Sequence, residues 1–297
     1  MTRGGGRLLA DIGGTNARFA VSKADAPMGG IFTLRVADYI SFAAALAAVV
    51  ARFGRDFTEV AIAAAGPVEA GSIRLTNATW TIRADVVREA IPGAAVGLFN
   101  DLEALALALA RLERGDTEIL APGALSQTVA PLLAVNVGTG FGAALALPGR
   151  CGWRALPSEA GHMRFAAATT EEARLAASAA TYEDVLSGRG FAGLKEVFPD
   201  PETRRRVFSG LLGRVAGDLV LATGAWGGVY FCGGVLSTWS ENIDIDCLTT
   251  WFRDKGPMRA RMAAIPLHRL VRPEPALLGL AHASLGAMAG AGRAMPA

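Results

Sequence analysis

The feature that most restricts how this chain can fold is a short motif that occurs twice: an apolar strand carrying one polar residue near its end, a glycine turn, and a second apolar strand. Leu8–Ile12 contains Asp11, Gly13 and Gly14 turn the chain, and Phe19–Val21 runs back. Leu132–Val137 contains Asn136, Gly138, Thr139 and Gly140 make the turn, and Ala143–Leu147 follows. Apolar runs of this length bounded by glycines read as hairpins of buried strands. Their duplication inside one chain predicts two related lobes facing each other across a cleft.

The residues around each hairpin extend the pattern. A strand near Ile31–Val36 completes a meander, and Ser41 is the N-cap of an alanine-rich helix reaching Phe53. A strand over Val60–Ala65 ends at Gly66 and Pro67, and a strand over Val96–Phe99 leads into a helix over Asn100–Arg114 with acids in its first turn. The second half shows helical spacing over Glu171–Ala179, Phe191–Val197 and Glu202–Ala222, a strand at Val229–Cys232 that meets Gly233 and Gly234, and a closing helix over Pro275–Met288. Strand alternating with helix makes this an α/β chain. No low-complexity linker marks a boundary, so the lobes are set at residues 1–110 plus 276–297 and residues 111–275.

Composition removes several classes of function. The chain has 297 residues, 52% of them hydrophobic and 19% charged, enough to build two packed lobes. Its net charge is +2 and its arginines are scattered apart from Arg204, Arg205 and Arg206, which read as a solvated helix face. No basic and aromatic stripe exists that would track nucleic acid. The uncharged stretches Ile119–Gly149 and Leu219–Ser240 are broken by glycines, and the first also by Pro122, Pro131 and Pro148, so they read as buried strands and turns with no membrane span. Cys151, Cys232 and Cys247 are too few and too scattered for a disulfide framework. With no signal-peptide pattern at the start, the expected location is cytoplasmic.

The turn Asp11–Ile12–Gly13–Gly14–Thr15–Asn16 combines a carboxylate at a strand end with glycines that let backbone N–H groups approach an anion, which suits a nucleotide phosphate with magnesium. It is not a P-loop, because glycine-lysine-serine and glycine-lysine-threonine are absent from the chain. The bland alternative is an ordinary hairpin. A carboxylate is an odd choice on so apolar a strand, and the second copy at Asn136 adds weight to function. Gly138, Gly140 and Ala143 fit a dinucleotide fingerprint, yet a strand follows where that fingerprint requires a helix, and Glu159 lies in a loop.

Asn100 and Asp101, taken alone, are an N-cap and a first-turn acid. Glu159 and His162 sit beside Pro157 and Gly161 in a context too broken for a helix; a loop ion pair and a metal site are the two alternatives to a binding role. Gly233 and Gly234 serve either a close approach of a ligand to backbone or a tight turn. His268 and His282 stand in apolar surroundings and read as structural.

In their order along the chain these residues resemble the bacterial glucokinases, members of the actin-like ATPase and hexokinase superfamily. Asp11, Gly13, Gly14, Thr15 and Asn16 match that family's first phosphate loop, and Gly138, Thr139 and Gly140 its second. The likeness continues through Leu75, Thr76, Asn77 and Trp80; Phe99, Asn100 and Asp101; Leu156, Pro157, Glu159, Gly161 and His162; Glu183, Val185, Leu186, Ser187 and Gly188; and Gly227, Gly228, Val229, Gly233 and Gly234. It spans Leu9 to about Gly279.

The resemblance implies two actin-like, ribonuclease H-like lobes with mixed sheets flanked by helices, with ATP and Mg2+ used to phosphorylate glucose on its 6-hydroxyl. It implies that Asp101 accepts the proton of the attacking hydroxyl and that Asn77, Asn100, Glu159, His162 and Glu183 bind the sugar. It gives Ala10, Asp11, Ile12, Gly13, Gly14, Thr15, Asn16, Gly138, Thr139, Gly140, Gly233 and Gly234 to the nucleotide, with Asp11 on the magnesium ion, and it implies a homodimer. Zinc, used by a neighbouring family with a cysteine cluster after such a histidine, is not expected, because no cysteine lies between His162 and Cys232. Ser158 and Ala160 replace glycines usual in the family, Arg164 replaces an acid, and the stretch between Phe198 and Gly217 is short. Three rivals stay open: a kinase for fructose, mannose or an amino sugar; an actin-like regulator that binds without transferring phosphate; and a polyphosphate-dependent kinase.

Overall fold

Strand β1 (Gly6–Ile12) and β2 (Asn16–Ser22) form the first hairpin, with Ile12 opposite Ala17 and Asp11 opposite Arg18. The computed structural model that shows this describes residues 6–23, 28–76, 78–124, 129–150 and 152–285. β3 (Phe32–Arg35) pairs antiparallel with β2 and completes the meander. Helix α1 (Phe42–Phe53) starts where the Ser41 hydroxyl accepts the Ala44 amide at 3.3 Å and ends at Gly54, whose φ is +81°. Such a cap is worth about 1 kcal/mol. β4 (Phe57–Ala64) lies parallel to β1. The short strands β5 (Val68–Glu69), β6 (Ser72–Arg74) and β7 (Thr81–Arg83) make a separate small sheet. After α2 (Ala84–Ala90), β8 (Ala95–Asn100) pairs parallel with β4 and runs straight into α3 (Asp101–Leu109).

The sheet order is β3-β2-β1-β4-β8. Because side chains alternate across a strand, Leu8, Ala10 and Ile12 fall on one face and join Phe19, Phe42, Leu46, Ile62 and Trp80 in a single core. Trp80 is buried without loss of a hydrogen bond, since its indole N–H donates to the Tyr39 carbonyl at 3.0 Å.

The next stretch builds a second unit, Leu112–Pro273, while the first unit comprises the described residues up to Arg111 and from Glu274 onward. Its elements are β9 (Thr117–Ala121), β10 (Leu132–Val137), β11 (Phe141–Gly149), β12 (Gly152–Ser158), α4 (Thr170–Ala173), α5 (Gly188–Val197), α6 (Pro201–Thr223), β13 (Val229–Cys232), α7 (Trp239–Asn242), α8 (Ile245–Arg253), α9 (Arg259–Ala263) and β14 (Leu267–Leu270). The sheet order is β12-β11-β10-β13-β14-β9. β10 and β11 are antiparallel, and β13 and β14 run parallel to β10, as β4 and β8 do to β1. The second sheet thus repeats the strand order and directions of the first, with one edge strand, β9, added antiparallel. Its core gathers Val135, Val137, Phe141, Phe208, Leu211, Leu212, Val215, Phe231, Leu248 and Phe252, with α8 packed along α6.

Helix α10 (Pro275–His282) returns to the first unit and packs on α3, β1 and β4. The Arg7 guanidinium donates to the carbonyls of Leu280, Ala281 and Ala283 at 2.8, 3.1 and 2.8 Å. A cation on the last carbonyls is a C-terminal cap, and it explains why a helix expected to reach Met288 stops at His282. Residues beyond Leu285 lie outside the described ones. Two other helices are also shorter than their spacing predicts. The run Glu171–Ala179 is α-helical only in α4, after which the Leu175, Ala176 and Ser178 amides each donate to the carbonyl three residues back and the chain continues as tighter turns. The run Asn100–Arg114 ends at Leu109, after which Asp116 draws the chain into a turn by accepting the Glu113 amide. Among the described residues no helix is long and apolar enough to cross a membrane.

Candidate functional site

In the first unit, the carboxyl ends of the parallel strands β1, β4 and β8 place Asp11, Gly66 and Asn100 at one edge of the sheet. The turn from Gly13 to Asn16 closes with the Gly13 amide donating to the Asn16 carbonyl at 2.9 Å, and Thr15 is exposed. Asp11 is half-buried, and burial pushes its carboxyl up to about 6; Arg18 works against that shift, while Glu274 and Asp101 add to it. Asp11 and Asp101 therefore feel each other's charge. Near neutral pH the Asp11 group is still mainly ionised, in a setting that favours any cation able to neutralise it.

Asn100 ends β8 and caps α3. Its Oδ1 accepts the Leu102 amide at 2.9 Å and its Nδ2 donates to the Gly66 carbonyl at 3.1 Å, which leaves one amide N–H of its inventory for a ligand. The Glu103 carboxylate accepts the Asn100 amide at 2.9 Å and completes a capping box. Burial raises the Glu103 pKa. Asp101, at the first helical position, accepts the Leu102 amide at 3.0 Å and sits in the positive field of the helix start. Glu103 was absent from the expected site. Its signal was present as the spacing Asn-x-x-Glu. Asn77, expected to touch the sugar, lies outside the described residues.

In the second unit the expected residues form one connected set. The turn Gly138–Gly140 is closed by the Gly138 amide donating to the Gly140 carbonyl at 2.9 Å, and the Gly138 carbonyl accepts the Gly188 amide at 2.8 Å at the start of α5. Gly233, at φ +108°, leaves β13 so close to β10 that a Cβ there would lie 2.3 Å from the Val137 carbonyl oxygen and 2.6 Å from Asn136 Oδ1. Only glycine fits. Beside it, a hollow of about 220 Å³ is lined by Cys232, Gly233, Leu236, Ser237 and Arg269.

Glu183 ties this glycine turn to the loop of Glu159 and His162. Its Oε2 accepts the Phe141 amide at 3.2 Å, just past Gly140, and its own amide donates to the Gly161 carbonyl at 3.0 Å. Gly161 has no alternative, since a Cβ would meet the Phe141 carbonyl oxygen at 2.2 Å. Glu159 and His162 then stand on an exposed turn, His162 Nε2 3.9 Å from Glu159 Oε2. Ser158 donates its hydroxyl to the Ala143 carbonyl at 2.8 Å and so ends β12 firmly on β11. His268, read as structural, is half-buried on β14 and stacks on Tyr230 at 4.8 Å.

Among the described residues no group of three or more histidine, cysteine, aspartate or glutamate side chains converges as a metal cage. A magnesium ion does not require one. It binds through one or two carboxylates, with waters and substrate phosphates filling its other positions, and Asp11, short of compensating positive charge, fits that role.

The glucokinase family model matches residues 8–205 and 199–286. The chain is 35% identical to the glucokinase of Chromobacterium violaceum over 307 residues, covering 93% of this chain and 88% of that one. The aligned length exceeds the 297 residues present here, so that relative contains residues this chain lacks. A crystal structure of glucokinase from an Antarctic psychrotroph superposes with a TM-score of 0.82 at 27% identity, over 93% of this chain and 97% of that one. A ROK family glucokinase from Streptomyces griseus, solved with glucose and AMPPNP, shares the fold at a TM-score of 0.59 and 18% identity, covering 93% and 98% of the two chains.

Proposed function

The chain belongs to the glucokinase family, and from that premise we propose that it transfers the terminal phosphate of ATP to the 6-hydroxyl of glucose with Asp101 as the general base. The observation that carries this reading is the mutual electrostatic influence of Asp11 and Asp101 at one sheet edge. One carboxylate is suited to a cation and phosphate, and the other to a hydroxyl proton.

Phosphoryl transfer depends mainly on alignment and on neutralising charge. Asp101 accepts the proton as the sugar oxygen bonds to the γ-phosphorus, while the bond to the β–γ bridging oxygen breaks and ADP leaves. Asn100 directs its remaining N–H to a neighbouring hydroxyl. Glu159 and His162 take two further hydroxyls, and Glu183 offers the carboxylate oxygen not used by Phe141. The Gly13 and Gly138 amides close their turns, which leaves the N–H groups of Gly14, Thr139 and Gly140 to be offered to the phosphates, and the hollow beside Gly233 would accept adenine and ribose. Asp11 would hold a magnesium ion, which when bound would supply positive charge to neutralise the phosphates. The complex of the Streptomyces griseus relative with glucose and AMPPNP supports a site that holds sugar and ATP together. Family membership also supports a homodimer acting in the cytoplasm at the first step of glycolysis.

Steady-state assays with magnesium, ATP and single hexoses test the reading. Glucose is expected to give the highest kcat/KM and a 6-phosphate product; a clear preference for fructose, mannose or glucosamine, or hydrolysis of ATP without sugar phosphorylation, would reject it.

A further inference from the structure

Arg18 occupies the position on β2 directly opposite Asp11 on β1. Directly opposed residues of an antiparallel pair project from the same face with Cβ atoms about 5 Å apart, so an unrestrained arginine at this position has the reach to pair with Asp11. It does not do so. Among the described residues its ion pair is with Glu274, Arg18 Nε to Glu274 Oε1 at 2.9 Å. Both side chains are more than two-thirds shielded from solvent.

Glu274 is held in place by its backbone. It lies between Pro273 and Pro275 in the left-handed region, with φ +51° and ψ +51°, one of two non-glycine residues described with positive φ. Such a conformation is uncommon for a residue with a side chain, and a following proline removes the right-handed alternative. Its side chain makes no capping bond to α10, and that helix is anchored at its other end by Arg7. The carboxylate is thereby committed to Arg18.

We propose that Glu274 is a positioning residue that holds the Arg18 guanidinium away from Asp11 and so keeps Asp11 open to the divalent cation accompanying the nucleotide. The proposal rests on the assignment of Asp11 made above. The charges acting on Asp11 agree with it: Glu274 and Asp101 add to its negative surroundings and Arg18 opposes them, and a direct Asp11–Arg18 pair would weaken the pull of Asp11 on a divalent cation.

The test is a double-mutant cycle read by Mn2+ binding to the ADP-saturated protein, followed by electron paramagnetic resonance. Glu274→Gln, which keeps the side-chain shape, is expected to weaken Mn2+ binding about tenfold, whereas Arg18→Ala/Glu274→Gln is expected to bind as Arg18→Ala does. Glu274→Ala supplies the same comparison if the glutamine finds a new partner, and thermal melting of each variant confirms that it folds. A Glu274→Gln effect that persists undiminished in the Arg18→Ala background means the carboxylate acts by its own charge, and overturns the proposal. Unchanged binding in Glu274→Gln overturns it too while leaving the Asp11 assignment intact. Wild-type protein that binds no Mn2+ with ADP removes the Asp11 assignment itself, and the proposal with it.

Discussion

The two hairpins solve the same backbone problem with different chemistry. Each ends the first strand of its hairpin with a polar residue one position from the turn, and each sets a parallel strand beside it. In the first unit that residue is Asp11, whose carboxyl is pushed up to about 6 and whose cross-strand neighbour is Arg18. In the second it is Asn136, neutral, with Oδ1 accepting the Cys232 thiol at 3.7 Å and Gly233 pressed against it. The turns differ as well. Four residues separate the paired Ile12 and Ala17, and three separate Val137 and Phe141. The same hairpin is used in two ways: one holds a partly buried negative charge, and the other brings backbone groups close together. On the reading proposed above, the charge would meet a cation, and the crowded turn would lie beside a base and its sugar.

Removing the proton acceptor should have the largest effect. Asp101→Ala is expected to lower kcat by about a thousandfold, within the range for general bases, while glucose binding measured by calorimetry stays within a few fold of wild type. Near-normal turnover would show that the first unit supplies no base.

Making the hairpins alike comes next. Asp11→Asn gives the first turn the side chain of the second and is expected to reduce kcat/KM for ATP by about a hundredfold. Its stability should move the other way. The folded-state pKa of Asp11 lies above its ordinary value of 3.8, so the folded protein binds the proton more tightly, and the stability this gives is complete below about pH 4 and lost as pH rises through about 6. At pH 7.5 the ligand-free Asn variant should therefore melt about 2–4 °C above wild type, and the difference should vanish near pH 4. A lower melting temperature at pH 7.5 would mean that the carboxylate is structurally stabilising. The reciprocal change, Asn136→Asp, places a charge among the Val137 carbonyl, Cys232 and the phosphate turn; KM for ATP is expected to rise about tenfold.

The smallest effect is assigned to Glu103. Glu103→Ala loses one bond of the capping box, at a cost of about 1 kcal/mol in stability, and a two- to threefold rise in KM for glucose should follow from looser placement of Asn100. An unchanged KM would separate the cap from the sugar contact.

What was legible in the amino-acid sequence follows from how local each signal is. Hairpins announced themselves through glycine turns between apolar runs, and the α1 start through Ser41, because the residues that decide these features are neighbours in the chain. The limit of α10 was not legible, because it depends on Arg7, far away in sequence. β12 escaped notice for another reason. It is an edge strand whose residues are largely exposed, so Trp153, Arg154, Ala155 and Leu156 lack the apolar run that marks a buried strand. The site divides in the same way. Asp11, Asn100, Asp101 and the glycine turns were readable as motifs, whereas the link from Gly140 through Glu183 to Gly161, and the pairing of Arg18 with Glu274, exist only after folding.

A crystal structure of the protein with glucose, AMPPNP and Mn2+, collected at a wavelength where manganese scatters anomalously, tests the division of labour between the two hairpins most directly. The expected result is a manganese peak on the Asp11 side and none at Asn136, with an Asp101 carboxylate oxygen within about 3 Å of the glucose 6-hydroxyl. Manganese bound at the Asn136 turn, or an Asp101 carboxylate directed away from that hydroxyl, would contradict it.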